Sequence, residues 1–462
     1  MGAVFEPLSL LLRARDPGAI LPLVSPQHVT VLGGGLAGCE AAWQLCQAGL
    51  EVELLEARPA VQSPAHQTLL LGELVCSNSL RSEEGDTAPG LLKEEMRRLG
   101  SLIMTAAAAT RVPAGSALAV DRDAFAWHLT GVLLEQPNLR LRRQPVETLP
   151  AAPAVLASGP LTSAGLSRTL TDVLGQGLYF YDAIAPIVDA ASLDWGRVFY
   201  GARRQPESRD YVNCPLDREA YMALVLALRQ GRQTPPHPFE EPRFFEGCLP
   251  VEVMAARGPD VLSYGPLRPV GLVDPNTGRR PFAVVQLRAE DPHGQSYNLV
   301  GFQTRLVQSE QRRVFRLIPG LERVRFLRYG SIHRNTFIDA PRVLAPTLDL
   351  RAAPGLKVAG QLAGVEGYLE STAMGLLAGL FMAAELRGEP LEPPPVTTAL
   401  GALLDHITRP RAKGERFEPS KINYGLFPPL KDPPRKKRDR RTATAQRALD
   451  DLDRWWPRSN PP

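Results

Sequence analysis

A strand-like run, Val29–Leu32, leads directly into Gly33-x-Gly35-x-x-Gly38, and the glycines open a segment, Gly38–Gly49, whose Ala, Leu and Cys residues recur at helical spacing. A second strand-like run, Val52–Glu56, follows at once. This βαβ opening constrains the chain more than any other feature, because a strand, a glycine turn and a helix in that order imply a parallel, Rossmann-like α/β sheet. The glycines permit a tight turn and close backbone approach, and the helix N-terminus offers free N–H groups and partial positive charge to a pyrophosphate. Glu56, 23 residues after Gly33, ends the second strand where a carboxylate accepts hydrogen bonds from ribose hydroxyls and disfavours a 2′-phosphate. The motif therefore predicts a dinucleotide without that phosphate.

The far end of the chain bears on which dinucleotide. Val358–Gln361 reads as a strand ending in a turn, followed by Gly364, Gly367 and an Ala/Gly-rich amphipathic helix from about Tyr368 to Leu386. FAD is long enough to need such a second contact. A helix N-terminus aimed at the flavin pyrimidine would stabilise the negative charge of the reduced ring. No second Gly-x-Gly-x-x-Gly occurs, so a nicotinamide reductant would bind without its own fingerprint.

At 462 residues and 44% hydrophobic content the chain can bury a sizeable core and is long enough for two or more domains. No apolar run approaches the roughly 20 residues of a membrane span, and the Leu8–Leu12 cluster, flanked by Glu6, Arg13 and Arg15, reads as part of an N-terminal extension (1–26) and not as a secretion signal. Five cysteines without a Cys-x-x-Cys pair suggest neither a disulfide framework nor a zinc site, and fit a reducing cytoplasm. The net charge of +4 is uneven: Lys431–Arg441 holds seven basic residues against Asp432 and Asp439. Beyond Pro428 the chain is Pro-, Lys- and Arg-rich with little apolar content before Trp455, which predicts a mostly disordered tail over 429–462.

Nine segments, taken together, resemble the folate- and FAD-dependent tRNA (uracil-5-)-methyltransferases. They are Gly33–Ala42, Glu56–Pro59, Leu74–Ser82 (Leu-Val-Cys-Ser-Asn-Ser-Leu-Arg-Ser), Ser158–Ser163, Tyr181–Pro186, Phe245–Met254 (Phe-Glu-Gly-Cys-Leu-Pro-Val-Glu-Val-Met), Gly265–Gly271, Gly360–Ser371 and Asn423–Pro428. The resemblance spans nearly the whole chain; Ser158 stands where the family more often has threonine, and the tail is longer and more basic than the family pattern. It implies FAD held by Gly33, Gly34, Gly35, Leu36, Ala37, Gly38, Glu56 and Arg58 at one end and by Gly360, Gln361, Gly364 and Gly367 at the other. It also implies 5-methyluridine formation at position 54 of the tRNA T-loop, with 5,10-methylenetetrahydrofolate as donor of a one-carbon unit carried on flavin N5. NADH or NADPH would serve as reductant, without a metal or an obligate protein partner.

Uracil C5 is a poor nucleophile, and a thiolate added at C6 turns it into an enolate carbon able to attack an electrophilic methylene. The family's two functional cysteines map onto Cys248, assigned as the C6 nucleophile, and Cys76, assigned to removal of the C5 proton. Both sit in Gly/Ser/Asn/Pro surroundings, whereas Cys39 and Cys46, seven residues apart on the first helix, read as core. Cys214 lies between Asn213 and Pro215, in an expected loop. Arg81 is the candidate cation beside Cys76.

A uridine in a folded arm must leave its stack to be methylated, so the pocket must admit a flipped base. Arg203, Arg204, Arg268, Arg279 and Arg280 are candidate phosphate contacts, and the basic tail a source of salt-sensitive attraction. The expected architecture is a Rossmann-like FAD domain built from 27–200 and 331–428, interrupted by a smaller α+β domain at 201–330. Three other readings stay open: the same chemistry on a rRNA uridine, a related flavoprotein that acts on wobble uridines with a GTPase partner, and a flavin-bearing RNA-binding protein without turnover. The GTPase-associated family is longer, with an extra C-terminal helical domain, and lacks the Cys-Ser-Asn-Ser segment.

Overall fold

The computed structural model describes residues 28–62, 65–174, 178–203, 205, 207–234, 249–412, 415 and 417–457, with backbone alone for 178–184 and 331–336. The N-terminal extension therefore lies outside the described residues. The opening unit is β1 (His28–Leu32), α1 (Leu36–Gln47) and β2 (Glu51–Glu56), with the two strands parallel and Val31 opposite Leu54. They sit inside a six-stranded sheet of spatial order Asp349–Leu350, Ala353–Val358, Ala154–Leu156, β1, β2, Leu139–Arg143. All neighbours in it are parallel except the Asp349–Leu350 edge. The sheet thus draws strands from both ends of the chain. Burial on both faces explains why the Ala154–Leu156 strand is a continuous apolar run, while β1 buries Val29, Val31 and Leu32 and leaves His28 exposed.

The Tyr368–Leu386 helix lies against α1, and two glycines make the contact close: a Cβ on Gly375 would sit 2.2 Å from Ala37 O, and one on Gly379 2.8 Å from Gln44 Cβ. This helix is long and apolar enough to cross a membrane, but 72% of its apolar window is buried inside the fold. It is a core helix, apolar most of the way round, where the sequence suggested an amphipathic one.

A second lobe is built on an antiparallel sheet of order Phe199–Tyr200, Tyr211–Leu216, Ala283–Ala289, Ser296–Leu299, Ile187–Asp189, Phe326–Arg328. Val212, Cys214 and Leu216 alternate into its core with Ala283, Val285 and Leu287, where they meet Tyr221, Leu224 and Leu228 of the Arg218–Gln230 helix. The sheet includes Ile187–Asp189, so a boundary at Gly201 would cut through it. An antiparallel ribbon, Leu178–Ile184 with Ser331–Phe337, leads into and out of this lobe.

Two local expectations are corrected. Cys214 is in a strand, not a loop; Pro215 is accommodated because Phe199–Tyr200 pairs only as far as Asn213, leaving one side of Pro215 without a ladder partner. The tail is not disordered over 437–455, where a 19-residue helix buries Ala445, Ala448 and Leu452 in the main core. Arg98 forks both oxygens of Asp453 at 2.9 Å, Arg447 donates to Pro428 O and Pro429 O, and Trp455 Nε1 donates to Glu392 O.

Candidate active site

The glycine turn divides its labour by position. Gly33 has φ +110° and donates to Leu55 O at 2.8 Å, and a Cβ there would lie 2.3 Å from Ala157 O. A Cβ on Gly38 would lie 1.8 Å from Gly33 O. These two let β1, α1 and the neighbouring strand close on one another. Gly35 is different: it precedes α1 with no side-chain cap, and nothing lies within 4 Å of where its Cβ would be. The first N–H groups of α1, which have no intrahelical acceptor, therefore face open space.

That space is a cleft of about 240 Å³. Gly33, Gly34, Gly35, Leu36, Ala37, Glu56, Arg58, Gly360 and Gln361 all line it, as do Tyr368 and Ser371. Gly38, Gly364 and Gly367 do not. Gly364, at φ +85°, turns the chain beneath the Phe417 ring, and Gly367, at φ +111°, is the N-cap of the Tyr368–Leu386 helix. The cleft also takes in Ser158–Ser163 and His66. Sequence reasoning marks 158–163 only as a matching segment. The signal for its role is that it follows a strand adjacent to β1, and ligands of such sheets gather at strand C-termini.

Glu56 and Arg58 are joined before any ligand is considered. Arg58, 3% exposed, donates from Nε to Glu56 Oε1 at 2.8 Å and reaches Glu73 Oε2 at 3.1 Å. Gly34 N donates to Glu56 Oε2 at 2.8 Å. Burial opposes the Glu56 charge, but the Arg58 hydrogen bonds and charge outweigh it and hold the carboxyl below its usual range. A carboxylate that favours its ionised form thus stands at the end of β2, where a ribose contact would need an acceptor. Burial, then the charge of Arg58, holds His66 below the usual imidazole range.

The loop that carries Cys76 borders another part of the same cleft, through Val75. Tyr368, which also lines the cleft, accepts through its hydroxyl from Cys76 N at 2.6 Å and Ser77 N at 3.2 Å. One side chain thereby joins the start of a core helix to the Cys76 loop. The Arg81 guanidinium is paired with Glu370 Oε1 at 2.6 Å. Arg122 and Arg328 both sense Cys76, and they come from segments that no sequence pattern ties to this loop. Cys39, Cys46 and Cys214 are buried, and burial pushes their thiols up, Cys46 to about 12. Cys248 falls outside the described residues; its neighbour Leu249 is buried, and Val251 begins a second-lobe helix.

The family model for glucose inhibited division protein A matches residues 28–390. A protein of Geobacter sulfurreducens named methylenetetrahydrofolate--tRNA-(uracil-5-)-methyltransferase TrmFO is 56% identical over 430 residues, which cover 92% of this chain and 98% of that one. Its namesake from Anaeromyxobacter dehalogenans is 54% identical over 443 residues, covering 94% and 98%. The chain belongs to the TrmFO family.

Aquifex aeolicus GidA shares the fold, with a TM-score of 0.66 at 17% identity over 94% of this chain and 74% of that one. Family membership fits the TrmFO-length relatives better than this longer neighbour. Of the arginines considered for RNA, Arg268, Arg279 and Arg280 are exposed, and Arg204 lies outside the described residues. Arg203 is a staple: it donates to Arg268 O and Pro266 O, and burial with the charge of Arg268 lowers it to about 10.

Proposed function

We propose that this TrmFO-family chain methylates C5 of uridine 54 in the tRNA T-loop, with 5,10-methylenetetrahydrofolate as carbon donor, FAD as resident cofactor and NADH or NADPH as reductant. The observation that carries the reading is that the Cys76 loop is fastened, through Tyr368, to the wall of the same cleft that the glycine turn opens onto.

The residues present fit FAD. The vacant space over Gly35 admits a pyrophosphate to the N-terminus of α1, Glu56 offers an ionised acceptor to a ribose, and Gly360 and Gln361 form a second wall for a ligand longer than a mononucleotide. Bound FAD would supply the redox chemistry by which a folate one-carbon unit becomes a methyl group.

The chain's own groups would act on the base. Cys248 adds to C6 and makes C5 nucleophilic; Cys76 takes part in removing the C5 proton. Tyr368 fixes the Cys76 backbone from inside the protein, so the sulfur is presented from a loop with little freedom to wander. Exposed Arg268, Arg279, Arg280 and the basic start of the Lys437–Trp455 helix are candidate phosphate contacts.

The deciding experiment is nucleoside mass spectrometry after incubation with unmodified tRNA, the folate donor and NADH or NADPH. Formation of 5-methyluridine in tRNA, abolished in Cys248→Ala and Cys76→Ala proteins that still bind flavin, is the expected result. Product only in rRNA would transfer the same chemistry to a different target, and no product with either RNA would leave a flavoprotein without turnover.

A further inference from the structure

The Cys76 loop is held from outside its own domain. Asn78, fully buried, donates from Nδ2 to Val120 O and to Ala289 O, both at 3.0 Å. Its Oδ1 accepts from Arg288 Nε at 2.8 Å, and a second Arg288 nitrogen donates to Ser77 Oγ at 2.8 Å. Beside them Arg122 donates to Leu74 O and grips Glu290 Oε2 at 2.6 and 2.9 Å. Three consecutive residues at the end of the second lobe's central strand, 288–290, thus bear directly or through Arg122 on the loop Leu74–Asn78.

The charges here are unequal. Arg288 is 6% exposed, yet its bonds to the loop go to an amide and a hydroxyl, and among the described residues no carboxylate pairs with it. Arg122 is half-buried, and Glu290 Oε1 is buried with no hydrogen-bond partner among the described residues. A guanidinium sequestered against neutral acceptors costs more than an uncharged donor making the same two bonds. Simple docking of one lobe on the other does not call for it. A positive charge is useful there if something anionic forms next to Ser77, and the adjacent residue is a cysteine whose reactive form is the thiolate.

We propose that Arg288 is a positioning residue for Cys76: reaching across from the second lobe, it fixes Ser77 and Asn78 and brings an unneutralised cation to the loop, so that the thiol is reactive only when the two lobes are docked. The inference rests on the reading of Cys76 as a reacting group. Among the described residues, the other charged or titratable groups around the loop include Arg122 and Glu290 at the lobe boundary, Arg328 from the second sheet, Tyr368 from the core helix, Glu73 just upstream, and Arg81 just downstream, paired with Glu370.

The test is the rate of Cys76 alkylation by iodoacetamide in the flavin-bound protein, followed by peptide mapping across a pH series. Arg288→Gln, which keeps donors but no charge, is expected to slow alkylation about tenfold at neutral pH, equivalent to about 1.4 kcal/mol, and to move the half-maximal rate to higher pH. Arg288→Lys, which restores charge without the planar fork, recovers part of the loss. In the methylation assay Arg288→Gln lowers kcat and leaves the KM for tRNA unchanged. Should Arg288→Gln fail to fold, Ser77→Ala removes one acceptor of the same guanidinium and is expected to shift the pH profile in the same direction. An alkylation profile identical to the wild type in whichever variant folds overturns the proposal. Alkylation needs neither RNA nor folate, so an inactive wild type would defeat the functional reading without touching this result.

Discussion

A methyl group on Gly35 would project into the open cleft, whereas one on Gly38 would sit 1.8 Å from Gly33 O, inside the strand–helix junction. Gly35→Ala is therefore expected to yield folded protein that has lost its visible flavin absorbance, and Gly38→Ala to lose the fold itself; equal flavin content in Gly35→Ala and wild type would remove the pyrophosphate from that position. The motif was readable because its geometry is local. Arg122 and Arg328 near Cys76 were not readable, since each is brought there by tertiary packing from a distant segment. Lys93 was equally invisible: it reads as a surface residue of the helix Ala88–Arg98 (α2), yet it is fully buried, with Nζ donating to Ser82 O at 2.6 Å. Burial, then the charge of Arg81, lowers it from 10.5 to about 7. Between those values the unfolded chain binds more protons than the folded one, so this residue's contribution to stability rises with pH, by up to about 1.4 kcal/mol per unit. Denaturant unfolding of wild type and Lys93→Met should show the wild type gaining on the variant from pH 7 to pH 10; a constant difference would mean the lysine keeps its proton in the fold.

At the scale of elements, β1–α1–β2 announces itself through periodicity and glycine spacing, while the Lys437–Trp455 helix hides because its buried stripe is only Ala445, Ala448 and Leu452 in an otherwise charged segment. Composition alone registers the charge and misses the stripe. The two halves of this helix have different roles. The second half is tied down by Arg98, Trp455 and the buried stripe, so truncation before Lys437 should destabilise the protein. The first half begins with exposed Lys436, Lys437, Arg438 and Arg440, and Lys436 supplies no cap. Cations at the positive end of a helix dipole are unfavourable by a few tenths of a kcal/mol each, which an RNA phosphate would reverse. Lys436→Glu, Lys437→Glu and Arg440→Glu together should leave thermal stability equal or higher and weaken tRNA binding. The slope of log affinity against log salt should drop by roughly one for each phosphate that the helix no longer neutralises. Titration showing an unchanged slope would place the RNA elsewhere.

Across the whole molecule, both ends of the chain build one sheet and the middle builds another, and the sequence disclosed the first fact through Gly33–Gly38 and Val358–Gln361 at opposite ends. It did not disclose where the second lobe begins, because Ile187–Asp189 is a three-residue strand too short to show a period and joins its sheet through the distant Ser296–Leu299 and Phe326–Arg328. Nor did it disclose the boundary at 288–290, where an ion pair, a buried amide and a backbone carbonyl connect the second lobe to the Cys76 loop. This boundary gives the proposed two-thiol chemistry a geometric requirement. Cys248 immediately precedes Leu249, which is buried two residues before the second-lobe helix that begins at Val251, while Cys76 is pinned to the first lobe by Tyr368. Cys39, Cys46 and Cys214 are buried and disfavour the thiolate, which leaves Cys76 and Cys248 as the cysteines expected to react. Treatment of the flavin-bound protein with a short bifunctional maleimide should therefore give a peptide joining Cys76 to Cys248 as the main intramolecular product. Loosening the lobe boundary with Glu290→Gln should lower its yield without lowering single labelling at Cys248. If both cysteines label singly and never join, with or without bound tRNA, the two thiols do not share a substrate and the assignment of one of them to the methylation chemistry fails.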